Sequence, residues 1–214
     1  KHWGVYLTSL APFETILAHL RQWLWVQTAA GEKLYFRFYD PRSLRVFLPT
    51  LTLAEQQRFF GPVRRWLVED GGEGEVLEYV SESGIWPGRN LVSPGEGKLF
   101  TLRSVHLKQF EIAVNTRFKA QAYQLLYKHL SRPGGKESEL PWLRSFIEAG
   151  IRHAQRYGLT TDRQVIQFLL VRLKWGANFD QHYIWAKKVL STPHLTAHFK
   201  MNQLITTAKQ EVIR

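Results

Sequence analysis

The spacing of hydrophobic and polar positions changes partway along the chain, and with it the kind of element each segment predicts. In the first half, strand and helix signals alternate. His2–Ser9 (HWGVYLTS) reads as a strand. Pro12 then opens a helix to about Gln22 with Phe13, Ile16, Leu17 and Leu20 inward, since a proline at the first helical position gives up no hydrogen bond. Trp23–Thr28 and Lys33–Tyr39 are aromatic, branched runs on either side of Ala29-Ala30-Gly31-Glu32, the signature of a hairpin. Asp40-Pro41 supplies an N-cap and first turn for a short helix ending near Leu48-Pro49. Thr52 and Glu55 stand at capping-box spacing, each able to satisfy an amide of a further helix that stops at Gly61-Pro62. Trp66–Val68 and Val76–Val80 bracket Gly71-Gly72-Glu73-Gly74 as a second hairpin. The Gly-, Pro- and Ser-rich stretch 81–98 reads as a linker or long loop, and Leu99–Leu102 adds one more strand after it.

From Ser104 onward the period becomes 3.6. A long helix to about Leu130 carries Phe110, Val114, Phe118, Ala122 and Leu125 on one face. Leu143, Phe146, Ile147, Gly150, Ile151, Ala154 and Tyr157 form an apolar stripe, with Arg144, Glu148, Arg152 and Arg156 opposite. Residues 162–175 are apolar almost all round, apart from a wedge of Arg163, Gln164, Gln167 and Lys174, which places this helix in the middle of a bundle. Two more helices are expected near 183–190 and 193–213, the latter opened by Thr192-Pro193. The pattern defines an α+β chain. An N-terminal α/β lobe with a small mixed or antiparallel sheet (1–80) leads through a linker and possible strand (81–103) to an all-helical lobe (104–214).

Charge sharpens this division. Of 214 residues, 29 are Lys or Arg and 18 are Asp or Glu, giving a net charge of +11. Residues 1–103 hold 12 basic and 11 acidic side chains, and residues 104–214 hold 17 and 7, so the helical lobe carries +10 of the excess. Such a lobe favours an acidic partner: nucleic acid, an anionic surface or an acidic protein. Cysteine is absent, which excludes disulfides, thiolate zinc sites, iron–sulfur clusters and cysteine nucleophiles and fits a reducing compartment. No apolar run approaches the roughly 20 residues that span a bilayer, and no signal peptide is present. The chain starts at Lys1 without a methionine, so it is expected to be a fragment or processed product with residues upstream.

The chain carries few signs of catalytic chemistry. The Gly-rich stretch before Lys98 has Val92 and Leu99 where a phosphate loop needs glycine and a hydroxyl, and Gly71–Gly74 is flanked by Glu. Among eight histidines, His194 and His198 have the i, i+4 spacing of a zinc helix, but they lack the accompanying Glu, and Asp180 is placed in a loop. No G-x-S-x-G elbow occurs. Glu69, Asp70, Glu73, Glu75, Glu78 and Glu82 crowd one hairpin and read as a solvated tip, not a catalytic pair. No metal and no cofactor is expected. Ala154–Thr160 followed by the 162–175 helix resembles a helix-turn-helix, although only Arg163, Gln164 and Gln167 would be free to reach base edges.

The densest unusual segment is Leu34–Arg42 (LYFRFYDPR). Strand alternation sets Leu34, Phe36 and Phe38 against Tyr35, Arg37 and Tyr39. On a central strand, Arg37 must be paired or covered: either it stacks on tyrosines and pairs with an acid while Asp40 caps a helix, or it belongs to a Tyr/Arg recognition surface. HLRQWLWV (19–26), LYFRFYDPR (34–42), FLPTL (47–51) and QQRFFGPVRRW (56–66) together resemble the type VI secretion effector chaperones, or adaptors, a family long catalogued only as a domain of unknown function. Arg37, Phe38, Tyr39, Asp40, Pro41, Phe59, Phe60, Gly61 and Pro62 carry the resemblance as scaffold or binding residues. A weaker echo lies in 146–169 and 173–180. The resemblance implies a bacterial, cytoplasmic, non-enzymatic protein that holds a cognate toxic effector and delivers it to the VgrG spike, and members carry a further α/β segment before this point. Arg144, Arg152 and Arg156 are the candidate partner-binding face. Two other readings stay open: a nucleic-acid-binding regulator using the basic lobe, and an enzyme with no recognised motif.

Overall fold

A computed structural model describes residues 4–69, 75–81, 99–131 and 140–211. The chain divides into two compact units, Lys1–Val114 and Asn115–Arg214. The architecture is α+β, with all described strands in the first unit.

The first unit runs β1 (Val5–Ser9), α1 (Phe13–Gln22), β2 (Trp25–Thr28), β3 (Lys33–Tyr35), α2 (Pro41–Phe47), a 3₁₀ turn at Leu48–Thr50, α3 (Leu53–Phe60), β4 (Val63–Glu69), β5 (Val76–Val80), β6 (Phe100–Leu102) and the start of α4 (Ser104–Leu130). The strands form two sheets. In β1-β4-β5 both pairings are antiparallel, with Leu7 opposite Trp66 and Trp66 opposite Tyr79. In β3-β2-β6, β2 is antiparallel to β3 and parallel to β6, with Val26 opposite both Leu34 and Phe100. A parallel neighbour needs a long connection, and 71 residues separate the end of β2 from β6. The turn residues 70–74 of the second hairpin and most of the linker stretch lie outside the described residues.

Local chemistry explains the boundaries. The Asp40 carboxylate accepts from the Arg42 amide and caps α2, and Pro41 fills its first turn. Thr52 and Glu55 complete the capping box of α3. On α1 His19 is buried and Leu20 packs against the core, and Trp23 is buried just past the helix end. Phe13, expected to face inward, sits in the first turn, ahead of these residues, and is 69% exposed. The unit closes over an aromatic core in which Trp23, Phe47, Phe59, Trp66 and Phe100 touch edge to face or at a tilt.

The second unit continues α4 and adds α5 (Pro141–Arg156), α6 (Asp162–Trp175), α7 (Phe179–His182), α8 (Ile184–Leu190) and α9 (Ala197–Gln210). On the part of α4 in this unit the buried residues are Phe118, Ala122 and Leu126, an i, i+4, i+8 line. Leu125 is one residue off that line, roughly 100° round the helix, and is exposed, as is Val114. The stripe on α5 is buried at Leu143, Ile147, Gly150 and Ala154. A Cβ at Gly150 would come within 2.3 Å of Leu169, so glycine lets α5 and α6 approach closely. The last helix begins at Ala197 and not at Pro193, because Thr196 supplies the capping hydroxyl, accepting from the Phe199 amide.

Candidate functional site

The motif Leu34–Arg42 divides between interior and surface. Phe36, Phe38 and Pro41 are buried, whereas Tyr35, Arg37 and Tyr39 face solvent, so the expected alternation persists. The setting differs from expectation. β3 is an edge strand ending at Tyr35, and Arg37 lies beyond it, exposed and with no ion pair among the described residues. Asp40 is engaged instead by Arg42, whose Nε donates at 2.8 Å and whose guanidinium lowers the Asp40 carboxyl below its ordinary range. An Arg37 buried in a central strand and held by an acid is therefore not what the chain builds.

Phe59, Phe60, Gly61 and Pro62 are scaffold. Both rings and Pro62 are buried, and the Ser9 hydroxyl donates to the Pro62 carbonyl at 2.5 Å. Gly61 adopts φ +49°, and a Cβ there would stand 2.3 Å from the His19 ring. That ring bonds the Phe59 carbonyl through Nε2 at 2.8 Å, so Nε2 carries the hydrogen. Burial lowers the His19 pKa and outweighs the raising effect of this bond. The histidine of HLRQWLWV and the glycine of FFGP thus belong to one contact, which neither string reveals alone.

What remains outward is a surface on the β3-β2-β6 sheet. Trp25, opposite Tyr35, meets it edge to face at 5.3 Å between ring centres. The Tyr35 and Tyr39 hydroxyls are 3.4 Å apart, and that hydrogen bond raises the Tyr35 pKa. Lys33 Nζ sits 4.5 Å from the Trp25 ring centre. Trp25, Tyr35 and Tyr39 remain 42%, 49% and 49% exposed. Three rings beside Lys33 and Arg37 have the composition of a protein-binding hot spot. Sequence reasoning singled out Tyr35, Arg37 and Tyr39 but missed Trp25 and Lys33. Trp25 was legible from its hairpin alternation; Lys33 acquires its place only through the strand pairing.

A second cluster ties this unit together. The Arg103 guanidinium grips the Glu55 carboxylate at 2.7 Å and reaches the Thr50 carbonyl at 3.0 Å. Burial pushes the Glu55 carboxyl up, but hydrogen bonds from Arg103 and Thr52 prevail and bring it down to about 2. His106, fully buried beside them, is lowered by desolvation, partly offset by Glu55.

In the helical unit, Arg144, Arg152 and Arg156 all lie on the exposed side of α5. Arg144 covers the Tyr123 ring at 5.6 Å, and Glu148, between them, pairs with Lys119 at 2.7 Å. The core of this unit holds charges that sequence reasoning did not single out. Asp180 lies buried in α7, not in a loop, and its Oδ2 accepts from Tyr157 at 2.6 Å and pairs with His153 at 2.7 Å. Arg172 is buried in α6, donating to the Phe146 and Ala177 carbonyls. On α6, Gln164 is committed to the capping box with Thr161. His194 precedes α9, so it does not share a helix face with His198. Among the described residues no group of three metal-ligating side chains occurs, and no helix is long and apolar enough to cross a membrane.

Against this geometry, a family model described as Domain of unknown function (DUF4123) matches residues 1–58, from β1 into α3. The matched segment contains the outward aromatic surface and most of the motif strings. No curated protein matches the chain, and no solved structure does.

Proposed function

We propose that this chain is a type VI secretion adaptor that binds a cognate toxic effector, works without turnover or cofactor in the cytoplasm, and helps load the effector onto the VgrG spike. The matched family is generally linked to type VI effector chaperones. The observation that carries the reading for this chain is the exposed cluster of Trp25, Tyr35 and Tyr39 with Lys33 and Arg37, set within the matched segment. Solvent-exposed aromatics held in mutual contact by a sheet keep their entropy cost low on binding and supply the contact area that a protein partner rewards. The arginine face of α5 offers a second, more polar contact.

Co-expression with the toxin encoded beside its gene tests the proposal. The two proteins are expected to co-elute in size-exclusion chromatography, and the toxin is expected to depend on this chain for secretion. Separate elution together with normal secretion in its absence would end the adaptor reading.

A further inference from the structure

We propose that the free edge of β3 takes an extended, acidic segment of the protein cargo as an added strand, with Lys33 and Arg37 meeting its carboxylates; this rests on the adaptor reading and specifies how the cargo is held. The hydrogen-bond pattern exposes the edge. The Phe36 amide donates to the Leu24 carbonyl at 2.9 Å, and the Thr28 amide donates to the Glu32 carbonyl at 2.9 Å. With Val26 opposite Leu34, these are the bonded positions of the hairpin, and Lys33 and Tyr35 fall between them. Their main-chain donors and acceptors turn away from β2, toward a side where no strand among the described residues pairs.

A short edge strand bearing a lysine ordinarily discourages pairing. Here the lysine shares its face with two half-exposed tyrosines and a tryptophan, which reverses that protection. An incoming strand would gain ladder bonds from Lys33 and Tyr35 and would lay alternate side chains along the rings. Charge selects the occupant. Lys33 and Arg37 have no ion-pair partner among the described residues, the nearby Asp40 is held by Arg42, and Trp25, Gln27, Lys33, Tyr35 and Thr101 place no carboxylate on the outer face of the strands. Acidic side chains at alternate positions of the added strand would complete both cations. A second copy of β3 would instead bring the same cations against themselves, which is unfavourable across strands.

The test uses the full chain, isotope-labelled and co-purified with the toxin encoded beside its gene, with amide exchange read by NMR. Exchange at Lys33 and Tyr35 is expected to slow at least tenfold on complex formation, while Leu34 and Phe36, already bonded, change less. A Lys33→Glu/Arg37→Glu double variant is expected to melt like the parent, to bind at least tenfold more weakly, and to lose the salt sensitivity of the parent complex. If that variant melts lower, Lys33→Gln replaces it with the same expected direction. A complex in which Lys33 and Tyr35 still exchange fast, or which tolerates charge reversal, overturns the added strand and leaves the adaptor reading standing. Protection of both amides in the isolated chain, rising with concentration, assigns the edge to a second copy and overturns the proposal. Failure to form any complex ends the adaptor reading, and this inference with it.

Discussion

Unit 1 fills its interior with rings, among them Trp23, Phe47, Phe59, Trp66 and Phe100, and buries two imidazoles, His19 and His106, beside them. Unit 2 fills its interior mainly with aliphatic side chains such as Leu126, Leu143, Ile147, Leu169 and Leu204, and buries two ionisable side chains, Arg172 and Asp180. The difference lies in what each interior tolerates. Flat rings in edge-to-face contact leave little slack for a change of shape, whereas an aliphatic bundle accommodates an ion pair's worth of polarity provided each group finds partners. Arg172 finds two carbonyls and the face of Phe146 at 4.4 Å; Asp180 finds His153 and Tyr157, though its Oδ1 has no partner among the described residues.

The largest expected effect comes from truncating a ring. Phe59→Ala should cost about 3–5 kcal/mol, and Leu169→Ala in the other core about 2–5 kcal/mol. Residue-resolved hydrogen exchange checks both: each substitution should lower protection chiefly in its own unit. Equal losses throughout would mean that the units unfold together, and the comparison would collapse.

Next in size is the buried charge. Asp180→Ala removes the shared acceptor of His153 and Tyr157 and should cost about 2–3 kcal/mol in denaturant unfolding, because buried donors are left unmet. The capping boxes offer a matched pair at lower cost: Thr52→Ala and Thr161→Ala should each lose about 1 kcal/mol. Glu55→Gln should cost more than Gln164→Ala, since Glu55 also holds Arg103 and Gln164 has no such partner.

The buried histidines of unit 1 and the Tyr157 hydroxyl of unit 2 respond to pH in opposite directions. His19 and His106 sit below their ordinary 6.5 when folded, so the unfolded chain binds the proton first. Their contribution is complete above about pH 6.5 and is lost as pH falls, and Glu55 extends that loss from 4.5 toward about 2. In unit 2, burial and the Asp180 contact push the Tyr157 hydroxyl up to about 12. Its contribution is present below pH 10, where the free phenol is protonated, and is lost as pH rises toward 12. Acid titration followed by NMR should therefore disturb unit 1 signals first, and alkaline titration those around Tyr157. The smallest stability effect belongs to Arg144→Glu/Arg152→Glu/Arg156→Glu, within about 1 kcal/mol of the parent by thermal melt. On the adaptor reading proposed above, its expected effect lies in slower assembly with cargo or spike, and normal assembly would remove that face from the account.

Much of the fold was legible in the sequence because its signals are local. The capping hydroxyl of Thr52, the carboxylate of Asp40 and the 3.6 period after Ser104 need only neighbours a few residues away. What escaped depends on distant partners. Nothing near Asp180 announces that His153 and Tyr157 will meet it, and nothing near Gly61 announces the His19 ring. β3 reads as central from its rings and is an edge because β6, far along the chain, pairs on the other side of β2. For the same reason the exposure of Arg37 was invisible, while the alternation that turns Tyr35 and Tyr39 outward was not.

The parallel β6 has a consequence for synthesis. The matched segment stops at Arg58, before β4, the strand on which β1 docks, and well before β6, which flanks β2. A nascent chain that has reached only that point holds Trp23, Phe36 and Phe47 without the strands that cover them. Translation must deliver Leu102, and Arg103 must reach Glu55, before the aromatic core of unit 1 is enclosed. The stretch that the family model matches lacks the strands that enclose these rings, and a truncation at its end should yield an aggregation-prone chain.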